Sequence, residues 1–136
     1  MSASITFEND HRGAVVACNK VLSGQDFIET NNALYNSPTI FDLQYCITIL
    51  DDIESVEIST EQLSFIAQQD AEGALKTAHK KLFIALVISN DIVEGIARLY
   101  QHYIDSDKVV VKTFKTLNSA RAWIDSVIVD SAVTSV

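Results

Sequence analysis

The spacing of apolar residues along the chain alternates between the two-residue period of strands and the three-to-four-residue period of helices. The first apolar runs, Ile5–Phe7 and Ala14–Leu22, are typical of strands, and Gly13 between them favours a turn. These runs therefore predict an antiparallel hairpin. A helix is expected after Ser23, which is a good N-cap residue, and the segment that ends in Pro38 stops this helix.

Three further strands are predicted, each followed by a helix. The strands are Leu43–Leu50, Leu82–Ile88 and Val109–Phe114, and Asp51 and Asp52 are expected to mark the end of the first. The run Leu82–Ile88 is apolar at every position, as a strand buried on both faces requires.

Each of the three following helices begins at a residue type that caps helix N-termini. Apolar side chains then recur three or four residues apart, which predicts one face of each helix against the sheet. Gly73 marks a break in the first of these helices, and Trp123 is predicted to be a buried core residue of the last. The caps are Ser59 or Thr60, Asn90 and Thr116, and the predicted inward-facing residues include Leu75, Ala78 and Ile92.

The order of elements is β-β-α-β-α-β-α-β-α. It predicts an α/β fold with about five strands in a mostly parallel sheet, an N-terminal antiparallel hairpin and about four helices. A length of 136 residues fits one domain, which we expect to span residues 1–136.

The formal net charge is −8, and its distribution is uneven. Ten acidic residues and no Lys or Arg lie between Val21 and Leu75. We interpret this segment as a solvated acidic face, with a docking surface for a basic protein as the alternative. The phosphates of nucleic acid would be repelled by it, so nucleic acid is not expected as a partner.

Membrane and redox features point to the cytoplasm. The longest apolar run has seven residues, against roughly 20 for a membrane-spanning helix, and the N-terminal residues do not read as a signal peptide. Cys18 and Cys46 lie in apolar, strand-like runs. We therefore expect two buried, free thiols in a reducing compartment.

The sequence contains none of the residue groups that usually carry chemistry. Its four glycines are too scattered for a phosphate-binding loop, and His11, His79 and His102 are too far apart for metal-ligand spacing. No nucleophile motif is present. We expect no metal, no cofactor and no enzymatic activity.

A candidate binding edge follows from the predicted sheet. Ligands of open parallel sheets bind beyond the carboxyl ends of the strands, where helix N-termini also direct N–H groups. The alternative is that these polar residues only cap helices, and that Arg98 forms a salt bridge with Glu94. The candidate residues are Asp51, Asp52, Ser89, Asn90, Asp91, Arg98 and Tyr100.

Two segments resemble SpoIIAA-like domains, a family related to STAS and SEC14 domains. The segment Gly95–Gln101 reads GIARLYQ and is similar to the family's G-x-A-R-x-Y-E, with Gln101 in place of the acid. The segment from Val111 to Ile124 resembles the family's final strand and helix, F-x-[ST]-x-x-x-A-x-x-W-L. The resemblance covers roughly Ile5 to Ile128 and implies a STAS-like sheet of five strands with helices.

Relatives of this family that antagonise anti-sigma factors carry a phosphorylatable serine in a D-S-S-G-like turn after the third strand. Here the corresponding segment is a longer acidic loop that lacks a serine pair and a glycine. Ser55 lies among Asp51, Asp52, Glu54 and Glu57, so a phosphate would add negative charge to an anionic loop. We expect no phosphorylation switch at Ser55.

The expected function is that of a non-enzymatic STAS-like module. It would act by binding another protein or a second copy of itself, because the chain has a complete fold and an uneven acidic surface but no catalytic groups. A homodimer is expected in particular because the edge strand Ile5–Phe7 is open to pairing. The alternative, which the family's likeness to lipid-exchange domains implies, is a carrier or sensor of a small hydrophobic, lipid-like ligand. In that case Phe65, Phe83, Tyr100 and Tyr103 are available to line the ligand site.

Overall fold

All five predicted strands and all four predicted helices form, in the predicted order. The computed structural model describes residues 3–134, with side chains described through residue 128. The elements are β1 (Ala3–Glu8), β2 (Gly13–Ser23), α1 (Gly24–Tyr35), a short 3₁₀ helix (Ile40–Asp42), β3 (Tyr45–Glu57), α2 (Thr60–Ala74), β4 (Leu82–Ile88), α3 (Asp91–Tyr103), β5 (Val109–Phe114) and α4 (Leu117–Thr134).

The strands form one sheet in the order β1-β2-β3-β4-β5. The β1–β2 pair is antiparallel and the other three pairs are parallel, which confirms the predicted fold class. Helices α1, α2 and α3 cover one face, while α4 covers β3, β4 and β5 on the other. Every residue of β4 is buried because helices lie on both of its faces.

The first hairpin turns at a different position from the predicted one. Its loop contains Asn9, Asp10 and His11, which all have positive φ angles, and Arg12 donates its backbone N–H to Asn9. Gly13 is instead the first residue of β2. It lies under the ring of Tyr45, which a side chain at this position would overlap.

Strand β3 continues well beyond its predicted end. Asp51 and Asp52 lie inside it, and the strand runs to Glu57. The prediction was wrong because β2 and β3 both continue beyond the last residue of β4. In this extension residues 19–23 of β2 pair with residues 52–57 of β3. Ser55 therefore lies in a strand rather than in an acidic loop.

Helix α2 ends earlier than its apolar pattern predicts. Backbone bonds of the tighter 3₁₀ type follow Gly73, and the helix ends at Ala74. Leu75 and Ala78 are consequently exposed rather than inward-facing, with Leu75 74% exposed. Ile92 is also exposed, at 72%, because the face that α3 buries contains Val93, Ala97 and Tyr100.

Trp123 packs on the sheet as expected, but it is only half-buried. Its ring centroid lies 5.8 Å from that of Phe83 and 5.5 Å from that of Phe114. The fully buried anchor of α4 is the next residue, Ile124. The prediction placed the helix on the correct face and the deepest side chain one position too early.

Both cysteines are buried and free, as predicted. Burial raises the pKa of the Cys18 thiol to about 11 and that of Cys46 to about 12. Both side chains are therefore neutral thiols at physiological pH, and they behave as small apolar core residues.

Two helical glycines differ in what surrounds them. A Cβ atom at Gly73 would overlap the ring of Tyr35, whereas a Cβ atom at Gly95 would meet nothing within 4 Å. Gly73 thus allows α1 and α2 to approach closely at Tyr35. Gly95 has no comparable packing role.

The same substitution is expected to have opposite effects at these two positions. Gly73→Ala should lower the free energy of unfolding by about 1–3 kcal/mol, because the buried Tyr35 ring must move. Gly95→Ala should raise it by about 0.5–1 kcal/mol, because alanine favours a helix interior. Urea unfolding of both variants measures these changes, and equal effects at the two positions would contradict the packing described here.

Candidate functional site

An internal cavity of about 50 Å³ lies between α1, α2 and α3 and the sheet strands β2, β3 and β4. Its walls are mostly apolar and include Leu34, Ile66 and Leu86. All but three of the lining residues are buried. The half-buried ones are Phe27, Ile58 and Ile96, and they mark the mouth, near the first turns of the three helices.

A cluster of polar side chains lies on the cavity wall, centred on Asp70 of α2. Asp70 is only 5% exposed. Its Oδ1 atom accepts hydrogen bonds from the Tyr35 hydroxyl at 2.5 Å and from Asn31 Nδ2 at 3.3 Å, and its Oδ2 atom accepts one from the Tyr100 hydroxyl. We call Asp70, Asn31, Tyr35 and Tyr100 the Asp70 cluster.

The helix periodicity places these side chains inside. Asp70 lies four residues after Ile66 and four before Ala74, so it occupies a position in the apolar stripe of α2. Tyr100 is on the buried face of α3, and Asn31 and Tyr35 are on the buried face of α1, one turn apart. Three helices therefore contribute to one cluster.

The carboxylate of Asp70 is a charge in apolar surroundings. Burial raises its pKa to about 6, although the hydrogen bonds from Tyr100, Tyr35 and Asn31 each act to lower it. The pKa values of both tyrosines are raised well above their usual value, first by burial and then by Asp70. At neutral pH Asp70 is thus mainly ionised and the tyrosines are protonated donors.

Ser89 and Asn90 of the candidate binding edge have structural partners. The Ser89 hydroxyl donates to the backbone carbonyl of Asp51 at 2.8 Å, and Asn90 Nδ2 donates to that of Ile53 at 3.3 Å. These carbonyls belong to β3 just where β4 has ended. Asn90 also caps α3 by accepting from Val93 N–H at 2.8 Å, so both residues complete the hydrogen bonding of the sheet edge.

The other residues of the candidate edge are mostly solvated. Asp51, Asp52, Asp91 and Arg98 are exposed, and none of them lines the cavity. The salt bridge expected between Arg98 and Glu94 does not form, because Glu94 pairs instead with Lys115 at 3.5 Å. Of the seven predicted site residues, Tyr100 alone lines the cavity.

The side chains expected to line a ligand site are also mostly elsewhere. Phe65 is 49% exposed, and Phe83 packs against Trp123 on the opposite face of the sheet. Tyr103 is half-buried outside the cavity lining, so Tyr100 is the one of these four residues that lines the cavity.

Asp70, the centre of the cluster, was not predicted as a site residue, because in the sequence it is one of the acids between Val21 and Leu75 that were expected to be solvated. Asp70 is buried, and the signal that identifies it is a single charged residue at a core position of a helical apolar stripe. Asn31 and Tyr35 can be assigned to the cluster only after the position of Asp70 is known, because an uncharged residue gives no comparable signal in the sequence.

A second polar network ties α4 to the hairpin. Arg121 donates two hydrogen bonds to Glu8, at 2.9 and 3.0 Å, and the Tyr45 hydroxyl donates to Glu8 at 2.6 Å. The bonds from Arg121 hold the pKa of Glu8 below its usual value. This network is half-exposed and joins chain segments at opposite ends of the sequence, so we assign it a structural role.

Comparison with known proteins identifies the fold. Neither a family model nor a curated protein matches the chain. The chain is similar to a solved structure, an uncharacterized protein of the DUF3478 family with a SpoIIAA-like fold from Shewanella loihica PV-4. The two are 14% identical, the match covers 89% of this chain and 90% of the other, and the TM-score is 0.51. The protein therefore has a SpoIIAA-like α/β fold.

Within residues 3–134, no helix combines the length and apolar character needed to cross a bilayer. In the same part of the chain, no three His, Cys, Asp or Glu side chains are grouped so that they could hold a metal ion.

The ionisation of Asp70 is expected to lower stability as the pH rises. The folded protein keeps the Asp70 proton up to about pH 6, whereas the unfolded chain loses it near the ordinary pKa of 3.8. The free energy of unfolding should therefore fall by roughly 3 kcal/mol over this range. Urea unfolding of wild type and Asp70→Asn at several pH values isolates the effect, and a difference that does not change with pH would contradict it.

Proposed function

We propose that the protein binds a small, mainly apolar ligand in the cavity beneath α1, α2 and α3, as a carrier or sensor that does no chemistry on it. The observation that carries this proposal is an apolar cavity with one buried carboxylate and two tyrosine hydroxyls on its wall. Apolar walls with a few convergent polar groups are typical of small-molecule sites.

The position of the cavity supports the same proposal. Its mouth is formed by Phe27, Ile58 and Ile96, near the N-terminal turns of the helices and the carboxyl end of β3. This is the edge at which open parallel sheets bind ligands. The candidate binding edge expected from the sequence lies at the same end of the sheet. The cavity extends from that end into the interior, whereas most of the predicted edge residues are exposed.

The size of the cavity restricts the ligand. A volume of about 50 Å³ is well below the roughly 150 Å³ of an engineered cavity that holds benzene. A ligand of a few carbon atoms can enter with small movements of the half-buried residues at the mouth. A long-chain lipid would require the helices to separate. We therefore propose a ligand of a few carbon atoms rather than a lipid.

We place this activity in the cytoplasm. The support is that Cys18 and Cys46 are both free thiols, as in proteins of reducing compartments.

Self-association is a second candidate function, favoured by exposed hydrophobic side chains. Phe41 is 64% exposed and Leu75 is 74% exposed. They lie on neighbouring segments, because Ala78 N–H donates to the carbonyl of Phe41 at 2.9 Å. We propose that this Phe41–Leu75 patch, before the start of β3 and β4 and away from the cavity mouth, contacts a second copy of the chain.

Native mass spectrometry of freshly purified protein tests the binding proposal. Wild type should retain a non-covalent small molecule, and Ala97→Leu should lose it, because the larger side chain fills space beside the buried wall of α3. Ala71→Leu is the matched control, since Ala71 is a half-buried α2 residue outside the cavity lining. A bare wild-type chain, or equal occupancy in wild type and Ala97→Leu, would contradict the proposal.

Analytical ultracentrifugation tests self-association. Wild type is expected to sediment as a dimer, and the double variant Phe41→Ser with Leu75→Ser as a monomer, because the patch loses its apolar surface. The control is Phe65→Ser with Ile92→Ser, which removes two other exposed hydrophobic residues. Monomeric wild type at high concentration would end this proposal, as would equal dissociation of both double variants.

A further inference from the structure

We infer that the cavity selects a ligand whose polar end is a protonated primary amine and whose remainder is a short apolar group. This inference rests on the proposed function, because it names the ligand class for the same cavity. It follows from the hydrogen-bond inventory of the Asp70 cluster and from the absence of any cation among the described residues of the cavity wall.

Both hydroxyl donors of the cluster are already used, and so is one of the two amide hydrogens of Asn31. The hydroxyls of Tyr35 and Tyr100 both donate to Asp70, and Asn31 also donates an amide hydrogen to it. An ionised carboxylate accepts about four hydrogen bonds, and Asp70 receives two at Oδ1 and one at Oδ2. The free capacity of the carboxylate is therefore an acceptor position at Oδ2, which requires a donor on the ligand.

Charge decides between possible donors. Along the described wall of the cavity there is no Lys, Arg or His, so Asp70 has no cation there to balance it. A buried charge without an opposite charge is costly, and an ammonium group supplies that charge together with its hydrogen bonds. An alcohol can donate one hydrogen bond to the carboxylate but supplies no opposite charge. A ligand carboxylate is repelled by Asp70 and offers no hydrogen atom at neutral pH.

The remaining wall has little to hold a second polar group. Leu34, Ile66 and Leu86 supply apolar surface for a short alkyl chain. The other polar atoms on the wall are Thr48 Oγ1 and Cys46 Sγ, which lie 3.8 Å apart and pair weakly with each other. The ligand is thus expected to carry one charged end and an otherwise apolar body.

An NMR titration of ¹⁵N-labelled protein with three probes of equal length tests this inference: n-butylamine, butan-1-ol and butanoate. At neutral pH the backbone amide signals of Asp70, Ala97 and Tyr100 should shift with butylamine. Its affinity should be roughly tenfold higher than that of butanol, because the ammonium adds an opposite charge to the hydrogen bond that both probes can donate. Butanoate should give no saturable shift.

Two variants assign the preference to Asp70. Asp70→Asn keeps the side-chain shape and removes the charge, so it should bind butylamine no better than butanol. Asp51→Asn makes the same change at an exposed aspartate outside the cavity, and it should retain the wild-type preference.

A pH series on wild type gives the same information without a substitution in the core. Butylamine binding should weaken as the pH falls through about 6, where Asp70 gains a proton. The titratable groups that face Asp70 are Tyr35 of α1, Tyr100 of α3 and Cys46 of β3, and burial keeps all three neutral over this range.

The outcomes separate this inference from the proposed function. If butanol or butanoate binds as tightly as butylamine, or if Asp70→Asn keeps the amine preference, the amine inference is wrong while ligand binding stands. A butylamine affinity that does not change between neutral pH and about pH 5 also overturns the inference. If none of the three probes shifts the cavity signals, ligand binding in this cavity is contradicted as well.

Discussion

The arrangement of the helix layer depends on one carboxylate that is held out of water. A buried carboxylate needs hydrogen-bond donors, and Asp70 of α2 takes them from Asn31 and Tyr35 of α1 and from Tyr100 of α3. One side chain therefore fixes two neighbouring helices relative to its own. The Tyr35 ring fits beside α2 because Gly73 has no side chain there.

The cavity is connected with this arrangement. Most protein interiors are close-packed, whereas Tyr35 and Tyr100 of the cluster line an unfilled space. About 50 Å³ stays open beside the cluster. Ionisation of Asp70 lowers stability, and the space beside it is apolar and unfilled. Both features are costly for a core that serves only stability, and both are expected of a ligand site. The opposite face of the sheet is different, because Ile124 and Trp123 of α4 pack directly onto it.

The structural relative contributes the fold and nothing about activity. A SpoIIAA-like protein that is 14% identical shows that two very different sequences support a similar overall fold. Function depends on side chains placed on that frame, so it must be argued from the site itself. In this protein Ser89 and Asn90 at the polar edge of the sheet bond to the backbone of β3 and α3. The buried Asp70 cluster, by contrast, lies on the wall of a cavity.

The sequence by itself determined the elements, their order and the mixed sheet, because apolar periodicity and capping residues act over a few neighbouring positions. It could not determine that β3 runs past Asp51 and Asp52, because that length depends on the extension of β2, far away along the chain. Nor could it bring Asn31, Tyr35 and Tyr100 to Asp70, since local patterns do not record which side chains meet between helices. The candidate site therefore depends on the tertiary structure. Aspartate is usually a surface residue, and only its burial makes Asp70 a charge that needs hydrogen bonds from neighbouring helices.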